Sequence, residues 1–209
     1  MEPKFTFLLI SVIIFALLLL FYIHKRFGWA NAISFLVLSG AFTAIMDFLS
    51  AYVEVNYEYP GKSKLWVFAF IFFGWTGIAG SCLFLAEKLL TKHGEDLYNK
   101  KSLWWKAPLL TGFTAVVLDL FIDPIAAASG YWVWFAEAEV YYNIPLLNFT
   151  GWFVLMFCAP MAWILIIRRI RWKDWQRLLA SILAILPLMI VSGVLSTLLR
   201  VLLTLAGLK

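Results

Sequence analysis

Apolar residues run through this chain in six long blocks, at 5–23, 29–50, 65–87, 107–123, 149–167 and 178–206. None shows the strict alternation of a half-buried strand or the one-sided spacing of a surface helix. The blocks are roughly 17–30 residues long, and a helix needs ~20 apolar residues to cross the ~30 Å hydrocarbon core of a bilayer. The pattern predicts an all-α, polytopic integral membrane bundle of about six transmembrane helices. Few residues remain between the blocks, so positions 1–209 are read as a single transmembrane domain. The first block ends in His24-Lys25-Arg26 rather than in a small-residue cleavage site, so it is read as an anchor and not as a signal peptide. No internal repeat or low-complexity tract breaks the pattern.

The connection at 124–148 departs from an ordinary solvated loop. It carries Tyr131, Trp132, Trp134, Phe135, Tyr141 and Tyr142, with Glu137 and Glu139 as its only charges. Trp and Tyr favour the headgroup level, so an aromatic interfacial loop is expected between helices four and five, folded back onto the membrane surface as a lid or hairpin. Gly130 is placed to end a helical extension by taking left-handed geometry.

Composition agrees with the pattern: 64% of residues are hydrophobic and mean hydropathy is +0.90. A net charge of +5 raises the question of nucleic acid, but the basic residues are confined to short connections. No nucleic-acid partner is expected; the cations orient the chain instead. Twelve lie on one side: Lys25, Arg26, Lys88, Lys92, Lys100, Lys101, Lys106, Arg168, Arg169, Arg171, Lys173 and Arg177. Lys4, Lys62, Lys64 and Lys209 make four on the other, and Arg200 falls inside the sixth block. Cytoplasmic loops carry the Lys/Arg excess. The chain is therefore expected in the cell membrane with both termini extracytoplasmic.

Carboxylates inside apolar blocks are the strongest chemical signal, because a charge at the centre of a bilayer costs at least ~2.5–3.5 kcal/mol. Asp119 sits within Val116-Val117-Leu118 and Leu120-Phe121-Ile122, and Asp123 follows four residues later on the same helix face. Asp47 occupies the outer end of the second block, with Glu54 seven residues on and on the same face if the helix continues. Arg200 lies near the outer end of the sixth. Four carboxylates and a guanidinium from three helices thus converge on one side of the membrane. Each has a plainer reading. Asp123 precedes Pro124 and is placed to stop a helix. Asp47 is placed at the interface, and Arg200 to snorkel or to pair with an acid. Asn148 is placed to cap the fifth helix. Glu87, beside Lys88, is read as an interface marker. Trp152 and the aromatics at 131–142 are the rings close enough in sequence to the acids to line a pocket with them.

What is missing narrows the chemistry. His24 and His93 are the only histidines, both on the basic side, so neither a His-rich iron site nor a Ser–His–Asp set fits the acids. Cys82 and Cys158 fall inside blocks and are read as small buried hydrophobes. No phosphate loop or dinucleotide fingerprint is present. No metal and no cofactor are expected. Acid–base work by carboxyl groups in an aromatic cavity remains: a carboxyl kept protonated in an apolar site can protonate an alkene, and ring faces stabilise the cation that forms.

Three segments then carry a family resemblance. Asp119-Leu120-Phe121-Ile122-Asp123-Pro124, Gly130-Tyr131-Trp132-Val133-Trp134, and Tyr142-Asn143-Ile144-Pro145-Leu146-Leu147-Asn148-Phe149 with Gly151-Trp152 resemble the membrane carotenoid hydratases, of the bisanhydrobacterioruberin hydratase and carotenoid 1,2-hydratase type. The segment Tyr57-Glu58-Tyr59-Pro60-Gly61 resembles that family's second-span acidic region only weakly. The resemblance implies addition of water to the terminal double bond of an acyclic carotenoid, giving a tertiary alcohol without a cofactor. Carried over, it implies that Asp119 and Asp123 are the acid and its partner, with Asn148 and Trp132 or Trp134 lining the site. The placement of the other residues adds Asp47 and Glu54 as catalytic candidates, and Tyr131, Trp152 and Arg200 as candidate substrate contacts. An acyclic carotenoid or related isoprenoid, water, membrane lipids and other enzymes of the carotenoid pathway are the partners it suggests. Two other readings stay open: prenyl transfer or cyclisation with Asp carboxylates, and a non-catalytic lipid or carotenoid binder or transporter.

Overall fold

A computed structural model of the chain describes residues 3–135 and 139–208; Glu137, Lys209 and the side chain of Glu139 lie outside the described residues. Six helices are long and apolar enough to cross a membrane: Pro3–Phe27, Trp29–Tyr52, Lys64–Leu90, Leu103–Ala128, Leu146–Ile167 and Ile185–Leu205. The first is α1. The second consists of α2 (Trp29–Leu36), a π-helical turn at Val37–Phe42, and α3 (Thr43–Tyr52). The others are α4 (Lys64–Leu90), α5 (Leu103–Ala128), α6 (Leu146–Ile167) and α8 (Ile185–Leu205), with a short α7 (Asp174–Leu183) before the last.

Two boundaries differ from the sequence expectation for physical reasons. Asp123 does not end its helix: α5 runs past Pro124 to Ala128. Neighbouring helices make such a proline tolerable in a membrane bundle. The sixth block breaks at Ala184 into α7 and α8. Pro187 has no N–H for the Leu183 carbonyl and its ring crowds that carbonyl, which breaks the helix there.

Helices meet where small residues let them approach. A Cβ on Gly77 would lie 2.8 Å from Phe15, and one on Gly80 would lie 2.1 Å from Leu19, so α1 seats on a glycine face of α4. A Cβ on Gly112 of α5 would come 2.9 Å from the Phe153 backbone oxygen of α6. Gly40, in the π-helical turn, faces Thr76 of α4 in the same way, at 2.6 Å. Large apolar side chains on the outer sides of α1, α5 and α8, among them Phe7, Phe121 and Leu198, are exposed and form the lipid-facing surface.

The two ends differ. At the basic end Glu87 is buried rather than interfacial. It takes a two-pronged ion pair from Arg26, at 2.6 and 2.7 Å, and accepts the Leu97 N–H at 2.8 Å. Arg168 then holds the 91–102 connection through the carbonyls of Leu97, Lys100 and Lys101.

At the other end two connections close over the bundle. Gly130 (φ 70°) ends α5 with the paired bonds Gly130 N–H to Ala127 O and Tyr131 N–H to Ala126 O, a left-handed stop of the kind predicted. The aromatic segment is not a free-standing lid. Its strand β2 (Val133–Trp134) pairs antiparallel with β1 (Tyr57–Glu58), joining it to the 53–63 connection. Strands β3 (Glu139–Tyr141) and β4 (Ile144–Pro145) form a hairpin whose turn residues Tyr142 and Asn143 both have positive φ. That is the turn geometry a tight hairpin favours.

Candidate active site

A cavity of about 520 Å³ lies under these connections, between α3, α4, α6 and α8. Asp47, Glu54, Asp123, Asn148, Trp132, Trp134, Trp152 and Arg200 all line it, so most of the residues predicted from sequence do share one enclosure. Tyr131 does not line it: its ring lies 5.8 Å from the Lys62 ammonium. Asp119 lies behind the wall, fully buried.

Asp47 projects from α3 into a set of donors. Trp75 Nε1–H of α4 donates to Oδ2 at 2.7 Å, the Tyr57 hydroxyl donates to Oδ1, and the Tyr59 hydroxyl reaches the same oxygen at 3.5 Å. Burial, reinforced by the Asp47 charge beside them, holds both phenols well above the ordinary tyrosine range. They stay protonated and act as donors. Tyr57 stands on β1 opposite Trp134, and their rings are 4.5 Å apart. The ladder between the two connections is therefore what places the donor.

Asp119 and Asp123, one turn apart on α5, meet a single amide. Asn148 Nδ2 donates to Asp119 Oδ2 and to Asp123 Oδ2, at 2.6 Å each. The two carboxyl oxygens are thus no farther apart than two hydrogen-bond lengths. Asp119 Oδ1 is buried and unpartnered. Asn148 does not cap its helix, contrary to the sequence reading. It lies inside the first turn of α6, Pro145 is the cap residue, and the side-chain amide is used by the acids.

Other residues arrive by routes the sequence did not indicate. The helix carrying Asp47 stops at Tyr52, so Glu54 is not on its continuing face; the irregular 53–56 segment, with Val55 at φ 56°, brings it to the cavity mouth. There Asn56 Nδ2 donates to its carboxylate at 2.7 Å. Arg200 is half-buried, and among the described residues its guanidinium has neither an ion pair nor a hydrogen bond, so the pairing role does not occur. Trp134 has a buried Nε1–H without a partner among the described residues, and the Trp132 indole is directed at the Asp123 carboxyl. Ser192, Ser196 and Thr197 of α8 add hydroxyls to the wall. Trp75 was missed from sequence. Its signal was an indole N–H inside an apolar block, which when buried needs an acceptor. Among the described residues no group of three or more His, Cys, Asp or Glu side chains is arranged to hold a metal ion.

The arrangement therefore offers two carboxyls on one amide, a third carboxyl held by donors from α4 and the 53–63 connection, and indole rings in the same lining. Trp152 lies 4.6 Å from Trp75, ring to ring, and closes the aromatic floor. No curated protein and no solved structure matches the chain. A protein-family comparison does: the model described as carotenoid biosynthesis protein matches residues 6–208, and the chain belongs to that family.

Proposed function

We propose that the protein adds water across the terminal double bond of an acyclic carotenoid, yielding a tertiary alcohol with no added cofactor. Membership of a carotenoid biosynthesis family supports a carotenoid as substrate. The observation that carries the reaction is the attachment of Asp119 and Asp123 to one Asn148 amide, beside an aromatic cavity that Asp47 also lines. Two carboxyls this close in an apolar wall hold one proton between them. Asp123, which faces the cavity, delivers that proton to the less substituted alkene carbon, and the π pair forms the new C–H bond. The tertiary cation is stabilised by the faces of Trp132, Trp134 and Trp152. Water forms the C–O bond and gives up a proton to Asp47, or to Glu54 at the mouth. Cavity water returns that proton to the Asp119–Asp123 pair, so the net change is addition of one water.

Three donors on Asp47 suit an acceptor that stays ionised, which separates its role from that of the acid pair. The basic asymmetry of the connections supports an extracytoplasmic site in the cell membrane, reached by water from outside and by substrate from the lipid. Purified protein given an acyclic carotenoid in heavy-oxygen water should yield a tertiary alcohol carrying the label. Unchanged carotenoid from folded protein would remove the proposal. One feature favours a second reading: Arg200 has no partner among the described residues and suits the diphosphate of a prenyl donor. Magnesium-dependent release of diphosphate, with no labelled alcohol, would decide for transfer or cyclisation.

A further inference from the structure

Seven glycines lie inside the spanning helices, and they divide by what a side chain would meet there. At Gly40, Gly77, Gly80 and Gly112 an added Cβ would come within 2.9 Å of a neighbour, so these glycines permit close helix contact. At Gly74, Gly151 and Gly193 it would meet nothing within 4 Å. All three of the latter line the cavity, one each from α4, α6 and α8. A helix interior disfavours glycine relative to alanine, and at these positions no close approach is gained in return. What the three create together is width between three helices.

Asp123 and Asn148 line the cavity from α5 and α6, and Gly74 and Gly193 line it from α4 and α8. Beyond Gly193, Val194 and Leu198 of α8 are exposed on the lipid-facing surface. A volume of about 520 Å³ falls in the range that holds a drug-sized ligand. A forty-carbon polyene, extended to about the ~30 Å thickness of the hydrocarbon core, cannot fit inside it whole. Its reacting end must enter while the rest of the chain leaves. A second observation points to a ligand in the same space: Trp134 lines the cavity and has a buried Nε1–H with no partner among the described residues.

We infer that Gly74, Gly151 and Gly193 form a slot for the rod-like chain of an acyclic polyene, letting it run from the acid pair out past α8 into lipid, and so determine which chains the site accepts. The inference rests on the carotenoid reading of the cavity given above, and narrows it to a recognition element. Without a side chain at these positions, a flat conjugated chain carrying only methyl branches lies between the helices. A leucine at any one of them occupies its path.

Binding tests this separately from turnover. The full chain in lipid nanodiscs is titrated with lycopene, an acyclic carotenoid with the required end group, and tryptophan quenching reads the dissociation constant. Gly74→Leu, Gly151→Leu and Gly193→Leu should each weaken lycopene binding at least tenfold with no loss of thermal stability. Val194→Leu, on the lipid side of α8, should bind as wild type. A leucine variant with wild-type melting and wild-type affinity overturns the slot, and so does a wild-type chain that fails to bind lycopene. Should a leucine variant not fold, alanine at the same position carries the test: a weakening of threefold or more supports the slot and an unchanged affinity overturns it. Lycopene that binds but is never hydrated leaves the slot standing and removes the hydratase proposal.

Discussion

Asp119 lies outside the cavity and is joined through one amide to a carboxyl inside it. It is fully buried, and it shares the Asn148 amide with Asp123, the carboxyl that faces the substrate space. Asp119→Asn keeps the shape of the side chain and removes the partner that holds the proton. Hydration should fall by about 10²–10⁴-fold, the usual contribution of a positioned acid or base, with the thermal transition unchanged. Retained turnover would place the proton elsewhere. Asp47 is set up by donors, and of these Trp75 is the easiest to isolate. Trp75→Phe deletes the bond to Oδ2 at 2.7 Å and leaves an aromatic ring against Trp152. A hydrogen bond to a charged group is worth about 1.5–3 kcal/mol, so turnover should drop by one to two orders of magnitude while the protein stays folded. Full activity in this variant would mean that Asp47 needs no such orientation. The acids were legible in the sequence because each violates the apolar pattern around it, at a known cost. Trp75 was not, because an indole in a membrane span satisfies that pattern and shows its polar edge only once an acceptor is beside it.

Elements were legible from their length and poorly legible at their joints. All six spans were predicted from apolar runs, yet α5 crosses Pro124, and the helix carrying Asp47 contains a π-helical turn that no residue announces. Such a turn adds a residue to the helix and rotates everything after it, and these turns concentrate at functional sites. The helix also ends at Tyr52, short of Glu54, so counting seven residues from Asp47 along an ideal helix gave the correct neighbour by an incorrect path. The pairing of β1 with β2 was equally hidden, since strands two residues long have no periodicity to read. Helix contacts are more predictable once the glycines are placed. Gly112→Ala puts a methyl 2.9 Å from the Phe153 carbonyl oxygen, a backbone atom that cannot rotate away. α5 and α6 must separate, and these two helices carry Asp119, Asp123 and Asn148. Overpacking of this kind costs about 1–3 kcal/mol. The variant should melt earlier and lose turnover together, whereas Asp119→Asn should lose turnover alone. A Gly112→Ala protein with wild-type melting would show that the α5–α6 contact has slack.

On the scale of the whole molecule, alternating spans place Pro3, Leu208 and the cavity-covering connections at one end of the bundle, and the 91–102 and 168–173 connections at the other. The far end is locked by the Arg26–Glu87 pair and by the Arg168 contacts. In the proposed reaction water enters at the end where exposed Glu54, with Asn56, lines the cavity. Twelve Lys and Arg at or beside the locked end, against Lys4, Lys62 and Lys64 among the described residues of the other, support the proposal that the open end faces out of the cell. Ser63 and His93 are exposed at opposite ends, and the native Cys82 and Cys158 are buried, so single cysteines report orientation with little background. In intact cells Ser63→Cys should react with a membrane-impermeant maleimide, and His93→Cys should react only after permeabilisation. The opposite pattern would place the acids at the cytoplasmic leaflet. A hydratase working there would draw water from inside the cell, and the positive charges would then be serving something other than topology. Sidedness also constrains the substrate, since a polyene lying across the bilayer exposes one end group to each leaflet and presents only one of them to this site. A carotenoid with two reactive ends must turn over or rebind before the second is hydrated. With outward-facing sites, the singly hydrated product should accumulate ahead of the doubly hydrated one in a time course.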